Sequence, residues 1–211
     1  MAFGSEKGEC LNVFLLKPRL RWICRKTSPF FPYTRPTFNY YHHPVFSFLN
    51  LFARSSASQT HALDFHLNDG GRGAAGFKGG AGDCVVRAIA IAAELPYMQV
   101  YEDLRAANAA YADLRNDKLA RRLNAKGASP RNGNHRNVFH DYILGHGFSW
   151  VPTMKVGGGC QVHLRANELP SGTLIVKVSK HLSAVIDGVI QDTHNPSRGG
   201  TRCVYGYYLK H

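Results

Sequence analysis

Cys84, His181 and Asp192 carry the three side chains of a nucleophilic site: a thiol, an imidazole and a carboxylate. Cys84 follows a glycine-rich loop, residues 79–83, and begins an apolar segment that is typical of a helix. The unpaired N–H groups and the dipole of a helix N-terminus lower the pKa of a cysteine placed there. A neighbouring histidine lowers it further and can carry a proton to a leaving group. This order of residue types therefore predicts a cysteine nucleophile with a histidine base.

The carboxyl-terminal half predicts how His181 and Asp192 meet. Two β-rich runs, residues 181–186 and 189–193, are separated by Asp187-Gly188, a strong signal for a two-residue hairpin turn. A type I′ turn there makes His181 and Asp192 diagonal neighbours on one face of the sheet, roughly 7–8 Å apart at the backbone. We expect Asp192 to hold one ring nitrogen of His181 and to leave the other for Cys84, which is the orienting role of a third triad member.

The sequence resembles the papain-like cysteine peptidases, and most nearly their bacterial and viral C39-like branch. The resemblance covers about residues 76–209 and is carried by these segments: Gly82-Asp83-Cys84 before an apolar helix, Leu169-Pro170-Ser171-Gly172-Thr173-Leu174-Ile175-Val176, His181 at the head of a strand, Asp187-Gly188, and Asp192. It implies an α+β domain with the cysteine on a central helix, packed against an antiparallel sheet that carries the histidine and its partner. It also implies that Cys84 is the nucleophile, His181 the base and Asp192 the orienting group.

The chain departs from that family at two places next to Cys84. Val85 stands where an aromatic residue often follows the nucleophile, and no Gln or Asn precedes Cys84 to stabilise an oxyanion. Lys78 is the only side-chain donor near that place in the sequence, and the backbone N–H of Cys84 is a second candidate. Loss of one oxyanion donor slows a reaction by about 10²–10³ without abolishing it.

Composition divides the chain near residue 61. The first 60 of the 211 residues hold 12 of the 24 aromatic residues and 8 Lys or Arg, with Glu6 and Glu9 as their only acids. The apolar run 45–53 is shorter than the about 20 residues that span a bilayer, and no secretory signal pattern is present. We expect residues 1–61 to be a basic, aromatic and poorly ordered extension. A translation start further downstream would exclude these residues from the functional protein. Residues 62–211 are expected to form one hydrolase domain without a membrane span, located in the cytoplasm.

The order of elements predicts an α+β fold, with helices first and antiparallel strands afterwards. Residues 85–94 are apolar on nearly every side and predict a buried helix, apolar periodicity predicts a helix over 97–123 that starts after Pro96, and a third helix is predicted over 137–144. Asp83 has two readings: it caps the first of these helices, or it is a free carboxylate that raises the pKa of Cys84. The predicted strands are 148–155, placed at an edge by Pro152, then 174–178, the two arms of the hairpin, and 203–209.

The remaining cysteines and histidines predict neither a disulfide scaffold nor a cofactor. Five cysteines, an odd number at irregular spacing, indicate reduced thiols in a chain without a secretory signal. Cys160 and His163 have a ligand-like gap, but no paired C-x-x-C or H-x-x-x-H motif accompanies them, so we expect no metal.

Three functions follow from these observations. The first is a cysteine hydrolase, a peptidase or amidase that acts on a peptide or amide through an acyl-enzyme; an acyltransferase would use the same intermediate. The second is a catalytically inactive papain-like domain that binds a partner or serves as a phage-associated accessory protein. The third is a nucleic-acid-binding module, because the stretch 115–136 holds seven Lys or Arg residues that can neutralise phosphates. The oligomeric state has no signal in the sequence.

Overall fold

A computed structural model describes residues 62–80 and 82–211; the predicted extension, residues 1–61, lies outside the described residues. The described part contains four α-helices, one 3-10 turn and six strands. The helices are α1 (Cys84–Ala93), α2 (Tyr97–Leu114), α3 (Lys118–Lys126) and α4 (Arg136–Gly145), and the 3-10 turn is Pro130–Asn132. The strands are β1 (Asp64–Leu67), β2 (Phe148–Pro152), β3 (Thr173–Val178), β4 (His181–Ile186), β5 (Val189–Asp192) and β6 (Val204–Lys210).

The strands form one mixed sheet in the order β1-β5-β4-β3-β6-β2. This α+β architecture agrees with the prediction, but the sheet is not wholly antiparallel, because β1 pairs parallel to β5 with Leu67 opposite Asp192. β1 was not predicted from the sequence. Its four residues are all exposed, so no alternation of apolar and polar residues reveals it, and its partner lies far along the chain.

Helix α1 lies against one face of the sheet and fixes the position of Cys84. Residues 85–92 are all buried, as expected of a segment that is apolar on nearly every side. They pack with Leu182 and Ala184 of β4 and with Ile175 of β3. The opposite face of the sheet has its own apolar cluster, which includes Val185 and Ile190. Cys84 is therefore anchored at the N-terminal end of a helix that the sheet holds along its length.

The hairpin between β4 and β5 has the predicted register. Ile186 pairs with Val189 across the turn. Asp187 and Gly188 have φ angles of 47° and 79°, the positive values that a type I′ turn requires at both positions. Extending this register brings His181, the first residue of β4, to the same end of the sheet as Asp192, the last residue of β5.

Two other predicted elements can be compared directly with the structure. The helix predicted over 97–123 is wrong in its continuity, since the chain leaves the helix at Arg115 and restarts at Lys118. Asp117 causes the restart because its side chain accepts a hydrogen bond from the Ala120 N–H at 2.8 Å, the contact of an N-terminal cap. The prediction for Pro152 is confirmed, because it lies on β2, an outermost strand.

The expectation of reduced thiols is wrong for two cysteines. Cys160 and Cys203 are joined by a disulfide, with their Cα atoms 5.8 Å apart. The fold brings the two cysteine segments together, because His163, close after Cys160 in the chain, forms a β-bridge with Cys203. The even or odd count of cysteines does not reveal such a pair, whereas the tertiary structure does. Cys84 is the free cysteine of the described residues, and within them no helix is long and apolar enough to cross a membrane.

Candidate active site

The loop before Cys84 is held by contacts to the segment that precedes α4. The Gly82 N–H donates to the Arg131 carbonyl at 2.9 Å. A Cβ at Gly82 would lie only 3.1 Å from that carbonyl oxygen and from the Gly133 nitrogen, so a glycine allows this close approach. The Arg131 guanidinium in turn donates to the Lys78 carbonyl at 3.1 Å. These bonds set where α1 begins and therefore where the thiol lies.

Asp83 does not cap α1, contrary to the expectation from its position. Its side chain makes no capping hydrogen bond. The buried carboxylate instead forms ion pairs with Arg72 Nε at 2.7 Å and Arg87 Nε at 3.3 Å, and it accepts a hydrogen bond from the Tyr97 hydroxyl at 2.8 Å. Two guanidinium groups thus neutralise the charge next to Cys84, which reduces the repulsion that a free carboxylate would exert on the thiolate.

Arg87 links this buried carboxylate to the hairpin. It lies one helical turn after Cys84, and its Nη1 contacts Asp192 Oδ1 at 3.2 Å and also donates to the Thr193 hydroxyl. Its side chain is 9% exposed, so these contacts are little screened by water. The sequence contained a signal for this role that the prediction missed: Arg87 is the one charged residue in the ten of α1.

His181 and Asp192 are in direct contact. His181 Nε2 donates to Asp192 Oδ2 at 2.6 Å, while Arg87 uses the other carboxylate oxygen. Asp192 is buried and His181 is largely so. The carboxylate orients the imidazole and fixes which nitrogen it uses, so Nδ1 is the nitrogen left for Cys84. The structure thus brings the three predicted residues together at one end of the sheet.

The pKa values of the three groups are shifted in a consistent way. Burial opposes ionisation of the Cys84 thiol, but hydrogen bonds from His181 and from the Leu182 N–H, with the charges of His181 and Arg87, lower its pKa below the ordinary value. Burial also opposes the charged form of His181, but Asp192 and Cys84 raise its pKa to about 9. Burial opposes the charged form of Asp192 too, but its hydrogen bonds with His181 and the Thr193 N–H outweigh burial and lower its pKa. These directions favour a thiolate–imidazolium pair at neutral pH.

A cleft of about 330 Å³ opens at the thiol. Its lining comes from the start of α1, the segment around α4, and the turn between β3 and β4: Gly82, Cys84, Val85, Gly133, Asn134, His135, Arg136, Phe139, Lys177, Val178, Lys180, His181 and Leu182. Lys78, the side chain that the sequence favoured as an oxyanion donor, is not part of this lining. The N–H of Cys84 remains in place as a donor, since the first N–H groups of a helix have no intrahelical partner.

Side chains that could hold a metal overlap with this site. His181, Asp192 and His194 offer ligand atoms within 4.8 Å of one another, and the His181 and His194 rings have centroids 4.9 Å apart. Such a set would suit zinc in its residue types. Two of the three residues already satisfy each other through the bond between His181 and Asp192, which does not need an ion.

Comparison with models of protein families, with characterised proteins and with solved structures finds no match to this chain. The chemistry of the site therefore follows from the geometry and charges of its own residues. Cys84, His181 and Asp192 carry signals that the sequence shows, and so does Arg87 as the one charged residue of α1, whereas Arg72 joins the site only through the fold.

Proposed function

We propose that the protein is a cysteine hydrolase, a peptidase or amidase that works through an acyl-enzyme at Cys84. The observation that carries this proposal is the geometry: Cys84 begins α1 in the same cleft as His181, whose Nε2 is held by Asp192 at 2.6 Å, and this arrangement lowers the pKa of Cys84 and raises that of His181 to about 9. A buried structural cysteine has the opposite shift, because burial alone raises a thiol pKa. The likeness to papain-like peptidases in the order of Cys84, His181 and Asp192 gives further support.

In the first half of the reaction, the Cys84 thiolate attacks the carbonyl carbon of a peptide or amide bound in the cleft. A C–S bond forms and the carbonyl oxygen becomes an oxyanion, which the Cys84 N–H can stabilise. The tetrahedral intermediate collapses, the C–N bond breaks, and the His181 imidazolium gives its proton to the leaving amine. A thioester and a neutral imidazole remain.

In the second half, water attacks the thioester while His181 accepts one of its protons. The C–S bond breaks, the carboxylic acid leaves, and the thiolate–imidazolium pair is restored. Asp192 keeps the imidazole in one orientation throughout, through its bond to Nε2. Arg87 stabilises the carboxylate of Asp192 on the side away from His181.

Alkylation by iodoacetamide across pH 4 to 9, followed by mass spectrometry at Cys84, tests the activated thiolate. We expect wild-type Cys84 to react rapidly well below its ordinary pKa of 9.0 and to lose this advantage in His181→Ala. A Cys84 that titrates as an ordinary thiol with or without His181 would favour the non-catalytic alternative.

Trapping of the acyl-enzyme tests the reaction itself. p-Nitrophenyl acetate should acetylate Cys84 as a thioester that mass spectrometry localises, with a burst of one p-nitrophenolate for each site. His181→Ala should slow both formation and hydrolysis of the thioester. Labelling of other residues instead of Cys84 would contradict the proposal.

A further inference from the structure

The cleft at Cys84 carries positive charge that no acidic side chain of its own lining balances. Arg136, Lys177 and Lys180 all line it, and none of its lining residues is an Asp or a Glu. Within residues 62–80 and 82–211, none of these three cations forms an ion pair. Like charges that share a cleft repel one another, so their arrangement favours a bound anion.

The other charges of the site cancel in pairs. The carboxylates Asp83 and Asp192 face the guanidinium groups of Arg72 and Arg87. The thiolate of Cys84 faces the imidazolium of His181. The positive charge of the cleft is therefore additional to the reacting groups and not a counter-charge for them.

The sheet register places Lys177 beside the chemistry. It pairs across the β3–β4 ladder with Leu182, whose N–H helps to lower the pKa of the Cys84 thiol. Directly opposed residues of antiparallel strands have Cα atoms about 4.5–5.5 Å apart. The ammonium is partly buried, and burial together with the charge of Arg136 lowers its pKa. An anion bound next to Lys177 would offset both the cost of burying its ammonium group and the repulsion from Arg136.

Arg136 and Lys180 extend this charge in two directions. The Arg136 guanidinium lies over the Trp150 ring, 4.4 Å from its centroid, which limits its freedom to swing away. Lys180 has a φ of 58° in the turn between β3 and β4 and also lines a second cleft of about 710 Å³. That cleft contains Arg198 and Arg202 and again no Asp or Glu. The cationic surface therefore continues from one cleft into the next.

We propose that the Cys84 cleft takes an acidic peptide, whose carboxylates bind Lys177, Arg136 and Lys180 beside the reacting carbonyl. The continuation into the second cleft favours an extended chain with more than one carboxylate over a small carboxylic acid. The reaction of this substrate rests on the proposed hydrolase function, whereas its binding does not. A side chain and a free α-carboxylate supply the same chemistry, and the probes below distinguish them.

Pairs of neutral and anionic alkylating probes measure this preference at Cys84 itself. N-iodoacetyl-glutamic acid α-amide and N-iodoacetyl-glutamine α-amide differ only in the side-chain carboxylate. N-iodoacetyl-glycine and its amide differ only in the α-carboxylate. We expect the anionic member to alkylate Cys84 about tenfold faster at low ionic strength, because opposite charges a few ångströms apart attract each other near a protein surface. The ratio should fall towards one in 0.5 M NaCl, because salt screens such pairs.

A charge-removing substitution locates the effect. In Lys177→Gln the ratio of the anionic to the neutral rate should fall several-fold; because both rates are measured on the same variant, any change in the thiol itself cancels from the ratio. Lys118→Gln is the matched control, since Lys118 is exposed on α3 and lines neither of the two clefts. The pair that shows the larger ratio identifies whether a side-chain or a terminal carboxylate is bound.

Three results would overturn the proposal. The first is a ratio near one for both probe pairs at low salt. The second is an equal decrease of the ratio in Lys177→Gln and Lys118→Gln, which would reflect the net charge of the protein alone. The third is protection of Cys84 by a single-stranded oligonucleotide at lower concentration than by an oligoglutamate peptide, which would indicate a nucleic-acid site. If Cys84 is not activated, all alkylation rates fall but the ratio of the anionic to the neutral rate can still be measured. Failure of the hydrolase proposal is therefore distinguishable from failure of the acidic-peptide proposal.

Discussion

Arg87 contacts Asp192 at 3.2 Å and thereby connects the helix that carries Cys84 to the hairpin that carries His181. The two residues are 105 positions apart in the chain. One oxygen of Asp192 binds Arg87 and the other binds His181, so the carboxylate has an oriented contact on each side. The same arginine contacts Asp83, next to Cys84, at 3.3 Å. The helix and the sheet are therefore joined by a buried charge network at the site.

Replacement of Arg87 should destabilise the protein strongly. Arg87→Gln leaves Asp192 with His181 as its remaining partner and Asp83 with Arg72 as its remaining cation, and breaking a buried ion pair costs about 3–5 kcal/mol of unfolding free energy. Urea denaturation measures this change. The matched control is Arg105→Gln, because Arg105 pairs with Glu102 on an exposed surface where such a pair contributes about 0–1 kcal/mol. Equal effects of the two substitutions would show that the network does not hold the helix to the hairpin.

Replacement of Asp192 should move the pH profile of the thiol. In Asp192→Asn, His181 loses the carboxylate that raises its pKa, so the imidazolium partner of Cys84 is present only at lower pH. We expect the midpoint of Cys84 alkylation by iodoacetamide to shift to higher pH. Asp187→Asn, in the turn of the same hairpin, is the control, because Asn-Gly also forms a type I′ turn. An unchanged midpoint in Asp192→Asn would exclude an electrostatic role for this carboxylate.

The raised pKa of His181 predicts a pH-dependent contribution to stability. Its pKa is about 9 in the folded protein against an ordinary value of 6.5. A group whose pKa is raised by folding stabilises the protein fully below the unfolded pKa and loses this effect as pH rises through the folded pKa. Because the lowered pKa of Cys84 releases a proton over the same pH range, we expect the effect in the Cys84→Ala background, where the unfolding free energy relative to Cys84→Ala/His181→Gln should decrease as the pH rises from 6.5 through the raised pKa of His181. Parallel curves for these two variants would contradict the assignment.

Loss of the disulfide should weaken the fold without disabling Cys84. Cys160 and Cys203 are separated by 43 positions, and closing loops of this size stabilises proteins by about 2–4 kcal/mol. The double variant Cys160→Ser/Cys203→Ser should unfold at lower urea concentration and keep the wild-type alkylation rate at Cys84. Mass spectrometry of the unreduced protein provides the direct check. Alkylation of both sulfurs in the native protein would show reduced thiols, as the sequence alone suggested.

The sequence was most informative where the interactions are local. The Asp187-Gly188 turn predicts the pairing of Ile186 with Val189, and that register is confirmed. Strands β2 to β6 follow from β-rich runs between turn signals, and most of the helical residues follow from apolar composition and spacing, since both reflect which faces of a segment are buried. The break between α2 and α3 also has a local cause, the cap at Asp117. The apolar positions keep a helical spacing on both sides of it, so the prediction missed this cap.

Sequence by itself determined the residue types that can do chemistry and the hairpin that relates His181 to Asp192. Only the tertiary structure decided which charges surround them. Arg72 and Tyr97 meet Asp83 because two other segments converge on the start of α1, whereas Arg87 meets it through the local i,i+4 spacing of the helix. The Cys160–Cys203 pair and the parallel strand β1 also depend on the convergence of separate segments. Local structure depends on the preferences of residues that are close together in the chain. The electrostatics of a buried site depend on distances between groups that only the folded chain brings together.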